Sequence, residues 1–560
     1  MKKYSFITLI TLAFVLITLG SCKKYLDINR DPDTPQNPNP SAVFPAMLGA
    51  VPRGLQFDAR FVSKFIQNFG VNSSGNVSVY DQMGSPESDS NGEIWRQCYF
   101  GLGKNLDYII DLGSKNKQWD YVGAAQILKA MMFQYANDYY GEIIFKEAFV
   151  ENKAFFKYDD QEVAYAGIDS ILRLGITNIN RNDNDVSTDR LVRGDYVYGG
   201  DVAKWTKFAW GLMARNAHRI SNKPTYNADS VITFCNRSLA TPADDFLIPF
   251  DGAKNDDANF FGTFRNNLNL FRQSDFVVRL LDGTVLANSA STITNGVNRD
   301  PRMRHLLTCS EDTTNGNGGF RGVGPGTGDA FATLTGVYAV GTTNWLNARK
   351  RVPTPWLDSV YTNPSISAFN PLARHYVFAD RAVMPIMSAS EIQFMKSEAA
   401  FIKGDLTTAH AAYINGINYH FDFINRSSMP RGNVTLFTGN QITAAERSAY
   451  LTSANVKTTA ATLTRTDIML QKYISLWGWG FFETFVDMRR YHYTDVDAAT
   501  TFPVYKSFTF PTLNANNFGK PVNRVRPRFN SEYVWNREEL LRIGALNIDY
   551  HTYECWFSKP

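Results

Sequence analysis

Apolar side chains that return at nearly every fourth residue, over stretches of several turns, commit most of this chain to helices with one buried face. Ile94, Cys98, Leu102, Leu106 and Ile110 form one such stripe, and Gly113 after it predicts a glycine C-cap. Tyr121, Ala125, Leu128, Met132, Tyr135 and Tyr139 form the next, ending before Gly141, so the two stripes predict an antiparallel pair. In "GGDVAKWTKFAWGLMARNAHRIS", Asp201 is placed as an N-cap, with Trp205, Ala209, Leu212 and Ile220 near one face. The segment "SEAAFIKGDLTTAHAAYINGI" splits at Gly404-Asp405 into two helical patterns. Ala409, Tyr413 and Gly416 then follow the spacing of the second helix of a tetratricopeptide unit, where small residues allow close packing and the aromatic fills the groove. No strict 34-residue period runs through the chain, so an array of such units is degenerate.

Between about 221 and 384 the texture changes. "CSEDTTNGNGGFRGVGPGTGDAF" and "NWLNARKRVPTPWLDSVY" are rich in Gly, Asn, Thr and Pro, and predict a loop-rich insert between helical blocks. A further irregular region from about 494 to 528 carries Pro503, Pro511, Pro521 and Pro527. Function concentrates in irregular segments carried on a rigid scaffold.

The N-terminus has the layout of an export signal. Lys2 and Lys3 precede an uncharged run from Ser5 to Leu19, about 15 residues where a membrane span needs roughly 20. Leu19-Gly20-Ser21-Cys22 resembles a bacterial lipobox, in which Cys22 is acylated, palmitate being one such chain, and becomes the first mature residue. "DPDTPQNPNPSAVFP" places five prolines between Asp31 and Pro45 and reads as a tether. The expected organisation is a signal peptide over 1–21, a lipidated cysteine with a flexible tether over 22–45, and one folded body over 46–560.

Chemistry is sought in vain among familiar motifs. The seven histidines are scattered, with no H-E-x-x-H, and no G-x-S-x-G elbow occurs. "GVGPGTG" lacks the spacing of a phosphate loop. Asp183, Asp185 and Asp189 could hold a structural calcium, but the glycine and terminal glutamate of an EF-hand are missing, so a solvated loop is expected and no cofactor or metal is assigned. Glu483, Asp487, Arg489 and Arg490 lie at helical offsets and are read as structural ion pairs. A net charge of +4 without a Lys/Arg block excludes a nucleic-acid footprint. Beyond Cys22 there are Cys98, Cys235, Cys309 and Cys555, with no C-x-x-C motif; Cys98 and Cys235 are expected as buried free thiols. Aromatic content is high at 14%, including 27 Tyr and 10 Trp, and the surplus over core needs suits exposed stacking platforms.

Several segments together resemble the SusD/RagB family of outer-membrane lipoproteins of Bacteroidetes. They are "CKKYLDINRDP", "AAQILKAMMFQYANDYYGEIIFKEAF", "YVYGGDVAKWTKFAWGLMARNAHRIS", "DPRM" from Asp300, "SEIQFMKSEAAFIKGDLTTA", "QKYISLWGWGFFETFVDMRR" and "YECWFSKP". The chain departs from that pattern at Ile144, where Pro is frequent, and at Trp210, where Asn is usual. The resemblance implies a mainly α body of about four tetratricopeptide-like helix pairs supporting a loop-rich, ligand-facing half. It also implies a nutrient-binding lipoprotein at the cell surface, partnered with a SusC-like TonB-dependent outer-membrane transporter, that captures oligosaccharides and is not an enzyme. Oligopeptide binding is the alternative within the same uptake type, and a lipid-anchored hydrolase is a third reading. From an early loop and the central insert, Tyr80, Tyr338, Trp345 and Trp356 are the candidate ligand-binding aromatics. Trp95 begins a helix and is expected to pack instead.

Overall fold

In a computed structural model, the residues described are 37–73, 78–85, 92–185, 189–288, 299–312, 317–356, 376–427, 441–527 and 530–560. Cys22 lies outside them, as do the signal segment and most of the tether.

The body is mainly helical. The principal helices are α1 (Pro40–Phe65), α2 (Gly103–Lys115), α3 (Trp119–Tyr140), α4 (Gln161–Ile179), α5 (Val202–Arg219), α6 (Ala228–Arg237), α7 (Ala389–Lys403), α8 (Leu406–Ser427), α9 (Arg465–Leu476) and α10 (Phe481–Arg490). From α2 to α8 each helix packs on the next, α9 lies against α7, and α1 crosses α2 and α10. Two small antiparallel pairs supplement them: β1 (Phe69–Val71) with β3 (Phe271–Gln273), and β2 (Phe246–Ile248) with β4 (Met384–Met387).

The periodic stripes become the helices expected of them, with instructive exceptions. Ile94, Cys98, Leu102 and Leu106 are fully or almost fully buried. Yet the helix they share is broken by one wide turn at Gln97–Gly101, in which the Leu102 N–H donates to the Gln97 carbonyl at 2.8 Å. Gly113 does not cap it, because α2 runs on to Lys115. The glycine instead admits α3: a Cβ there would stand 2.9 Å from Val122 Cγ2. Gly141 does end α3, at φ +89°. Asp201 caps α5 by accepting from the Lys204 N–H at 3.0 Å.

The α7/α8 hairpin has the tetratricopeptide-like geometry read from the sequence. Gly404 turns the chain at φ +86°, Tyr413 is buried edge-on to Phe394 at 6.4 Å, and a Cβ at Gly416 would meet the Phe394 ring at 2.8 Å. Ser390 and Ser397 donate across the hairpin to the Gly416 and Ala409 carbonyls, each at 2.7 Å. The loop-rich insert starts later than its composition suggests, since α6 falls inside it, capped by Asn227 and packed on α5 and α7. The four cysteines 98, 235, 309 and 555 are buried free thiols, and burial pushes the Cys235 thiol up to about 12.

Charged side chains converge where five helices meet. The Arg215 guanidinium (α5) lies 2.6 Å from Glu391 (α7) and 3.5 Å from Glu483 (α10), with no exposure of Arg215 or Glu391. Arg219 bridges Asp138 (α3) and Glu483 at 2.9 and 2.7 Å. Arg490 holds both Glu398 and Asp487, and Lys472 (α9) also reaches Asp487 at 2.7 Å. Glu483, Asp487 and Arg490 are therefore structural, and Arg489 likewise donates to the backbone carbonyls of Asp138 and Asn523. "DPRM" is a second such knot: Asp300 grips the buried Arg302, which also reaches His420, Tyr450 and Gln471 at 2.7–3.1 Å.

Removing one member of a buried ion cluster strands its partners in low dielectric. Arg215→Ala is expected to lower the unfolding free energy by about 3–5 kcal/mol. Arg173→Ala, which breaks an exposed pair with Asp169, should change it by less than about 0.5 kcal/mol. Urea denaturation followed by circular dichroism checks both.

Candidate functional site

Helix α1 is amphipathic in an unusual sense. Leu55, Ala59, Val62 and Phe65 are buried, while Phe57, Arg60 and Phe61 face partly outward. Spacing of four puts the Phe57 and Phe61 rings one turn apart, with centroids at 6.3 Å. Tyr80 extends the row by packing on Phe61 at 4.5 Å, and Phe260 joins it at 6.0 Å from Phe57. The Arg60 guanidinium sits over Phe57 at 4.1 Å and within 5.7 Å of Phe61.

Phe57 also forms one wall of a cleft of about 580 Å³. Trp95, Tyr99, Phe100 and Phe156 supply further aromatic surface, and Ile144 also lines it. Glu93, Arg96, Ser531 and Glu532 place a few polar groups around the apolar lining. A concave, largely aromatic site with sparse polar groups is the usual form of a small-ligand pocket. Phe100 is 73% exposed, an uncommon cost for a ring that nothing covers.

Each wall is pinned by identifiable bonds. Asp58, buried beneath the row, accepts from the Ile94 N–H at 2.9 Å and from the Glu93 N–H at 3.4 Å, fixing the short helix that carries Trp95. Trp95 stacks on Tyr158 at 5.7 Å and is 6% exposed, so it packs as expected while its edge still lines the cleft. Asn536 exchanges bonds with the backbone of Phe156 at 3.2 and 2.9 Å, and the Tyr158 hydroxyl donates to Glu532 at 2.7 Å. The Tyr80 turn is set by Asp81, which accepts from Lys64, Ser78 and the Val71 N–H at 2.5–3.0 Å.

Of the aromatics picked from the sequence, Tyr80 alone joins this row, half-buried. Tyr338 and Trp345 stand on a separate segment of the insert; Trp345 lies in the first turn of a short helix (Thr343–Ala348) and is covered on one side by Arg349 at 4.4 Å. Neither lines the cleft. Trp356 is a correction: at 5% exposure it belongs to the core, and its ring has no open face. The sequence reading missed Phe57, Tyr99 and Phe100. Their signal was aromatic residues on the outward side of otherwise clean helical stripes. The acidic loop places its carboxylates against separate partners, Asp183 on Arg181 and Asp189 on Arg193 and Ser41. Among the described residues no three His, Cys, Asp or Glu side chains converge as a metal site, and no helix is long and apolar enough to cross a membrane.

A helical scaffold presenting an aromatic row and cleft defines a ligand-binding protein. Residues 34–508 match the SusD-like family model described as starch-binding and associating with the outer membrane, and the chain belongs to that family. Its fold is that of a SusD/RagB family protein from Bacteroides thetaiotaomicron, with a TM-score of 0.66 at 20% identity over 93% of this chain and 99% of that one. A chitin-binding protein matches with a TM-score of 0.65 at 19% identity, over 93% and 100% of the two chains. A chitin-binding SusD homolog from Flavobacterium johnsoniae matches with a TM-score of 0.59 at 17% identity, over 93% and 98%. No curated protein sequence matches the chain.

Burial raises the Asp58 carboxyl to about 7, against the opposing pull of the Ile94 and Glu93 N–H groups. The folded state thus holds a proton that the unfolded chain releases near pH 4, and stability from this group is lost as pH rises toward 7. Asp58→Asn keeps an acceptor for Ile94 without ionising. The gap between variant and wild-type unfolding free energies should therefore grow in the variant's favour from pH 4 to pH 7.5, by on the order of 3 kcal/mol. Parallel denaturation series across that range check the sign.

Proposed function

We propose that this protein captures oligosaccharides in the cleft beside α1 and delivers them to a SusC-like TonB-dependent transporter, held at the outer membrane by acylated Cys22. The observation that carries this reading is the aromatic row from Tyr80 through Phe61 to Phe57, bordering a cleft with few charges that Phe100 also lines. Sugar rings have apolar faces that stack on such surfaces, while their hydroxyls bond to groups such as Arg96 and Glu93. The chitin-binding proteins among the structural neighbours support the same ligand class. Tyr338 and Trp345, half-buried on the insert, are proposed as an outlying contact for a longer chain. Binding without turnover fits a capture role: a modest affinity already raises the ligand concentration at a transporter mouth.

Calorimetric titration of the soluble body against neutral oligosaccharides and oligopeptides tests the proposal. Phe57→Ala and Phe100→Ala should each weaken oligosaccharide binding by about tenfold, the value of one aromatic stacking contact. Trp345→Ala should have a smaller effect that grows with ligand length. Binding of peptides alone would shift the ligand class, and oligosaccharide binding unchanged in both phenylalanine variants would remove the cleft from the site.

A further inference from the structure

A second concave site lies where the N-terminal end of α9 meets the chain at 452–458 and 500–506, with a volume of about 660 Å³. Its lining differs from that of the α1 cleft. Hydroxyls dominate, among them Thr458, Thr462, Thr464 and Thr500, and two ammonium groups, Lys457 and Lys506, enter it. Phe502 offers one open ring, 47% exposed, with the Lys506 ammonium 4.8 Å from its centroid.

Of the two acids nearby, Asp467 lines the cleft and Asp497 does not. One oxygen of Asp467 accepts from the N–H and hydroxyl of Thr464 at 3.0 and 2.5 Å, and the other is only loosely approached by Lys457 at 3.8 Å. Asp497 accepts from the Thr466 N–H and hydroxyl at 2.7 and 3.0 Å and from the Ala499 N–H at 3.1 Å. Lys506 donates to the Val285 carbonyl and to Asn288 at 3.1 and 3.2 Å, both neutral acceptors. Burial, and then the neighbouring Lys457 charge, hold the Lys506 ammonium below the usual lysine range against the opposing pull of Asp467. Two ammonium groups share the cleft with a single carboxylate, Asp467, which approaches Lys457 only at 3.8 Å, and the positive charge left over is stabilised by an incoming anion. A cleft of this volume exceeds the needs of a bare inorganic ion and suits a polyhydroxylated ligand of several rings.

We propose that this cleft binds an acidic oligosaccharide, its carboxylate or sulfate seated between Lys457 and Lys506, one sugar face on Phe502 and its hydroxyls on the threonines. The site is independent of which ligand occupies the α1 cleft. The test is titration of the full chain in detergent with tetragalacturonate, a chondroitin sulfate tetrasaccharide and neutral galactotetraose. At least one acidic tetrasaccharide should bind, with an affinity that falls as salt is raised. Lys457→Gln should weaken that binding about tenfold or more, and Lys457→Arg should largely keep it. Lys506→Gln should act in the same direction, and neither variant should move neutral-glycan binding that depends on Phe57 and Phe100. Failure of both acidic ligands to bind, or acidic binding equal in wild type and both glutamine variants, overturns the proposal. Loss of neutral-glycan binding alone would instead count against the α1 cleft.

Discussion

Buried charge at the meeting point of α3, α5, α7, α9 and α10 is the constraint on which the remaining geometry depends. Each of Arg215, Arg219, Lys472 and Arg490 would be costly to desolvate alone, and each meets a carboxylate from another helix. Hydrophobic packing tolerates small slips between helices, whereas paired forks and carboxylates do not, because a displaced partner leaves a bare charge. Glu483, shared by Arg215 and Arg219, and Asp487, shared by Lys472 and Arg490, set the position and rotation of α10 in this way. Helix α10 in turn supports α1, with Phe485 packed on Phe65 at 5.8 Å. The aromatic row on α1 is thus oriented by ion pairs that no ligand touches.

The same helix carries opposite duties on adjacent residues. Phe57 and Phe61 leave apolar rings partly in water, an arrangement that folding alone does not favour, while Asp58 between them is buried and braces the neighbouring wall. Rigid placement matters here because a stacking contact is worth only about 1 kcal/mol and is easily cancelled by the entropy of ordering a loose ring. Arg60 over Phe57, and Tyr80 locked through the Asp81 turn, reduce that freedom before any ligand arrives.

Much of the scaffold was legible in the sequence because its helices bury one face and announce it by spacing. The stripes at 94–106 and 121–139, the Asp201 cap and the Gly404 break each have a local cause, and each stands where that cause puts it. Gly113 misled because a glycine at a helix end and a glycine at a helix crossing look alike until the second helix is placed. Trp356 misled because composition marks a segment as irregular without saying which of its rings turn inward. The cleft was less legible still. Its far wall comes from residues 531–536, joined to Phe156 and Tyr158 across more than 370 positions, and only tertiary pairing brings them together. "DPRM" and the glycines before Asp201 were visible as motifs, but their roles were not. Asp300 grips Arg302, and Asp195 gathers the N–H groups of Val197, Tyr198 and Gly200 with the Trp205 indole.

With the proposed ligands, the two clefts would divide the chemistry of polysaccharides between them. Aromatic faces reward neutral rings and are insensitive to salt, whereas paired ammonium groups among hydroxyls reward acidic substituents and weaken as ions screen them. A polymer carrying both kinds of unit would gain from engaging both clefts, because the second contact is then made at a high effective concentration set by the chain between them. That gain requires the clefts to keep a fixed separation. The buried ion pairs supply that rigidity, since α10 is clasped to α7 and to α9, whose first turn borders the lysine cleft, and α10 supports α1. A scaffold held by packing alone would let the two surfaces drift, and the advantage of linking them would fall with every ångström of play.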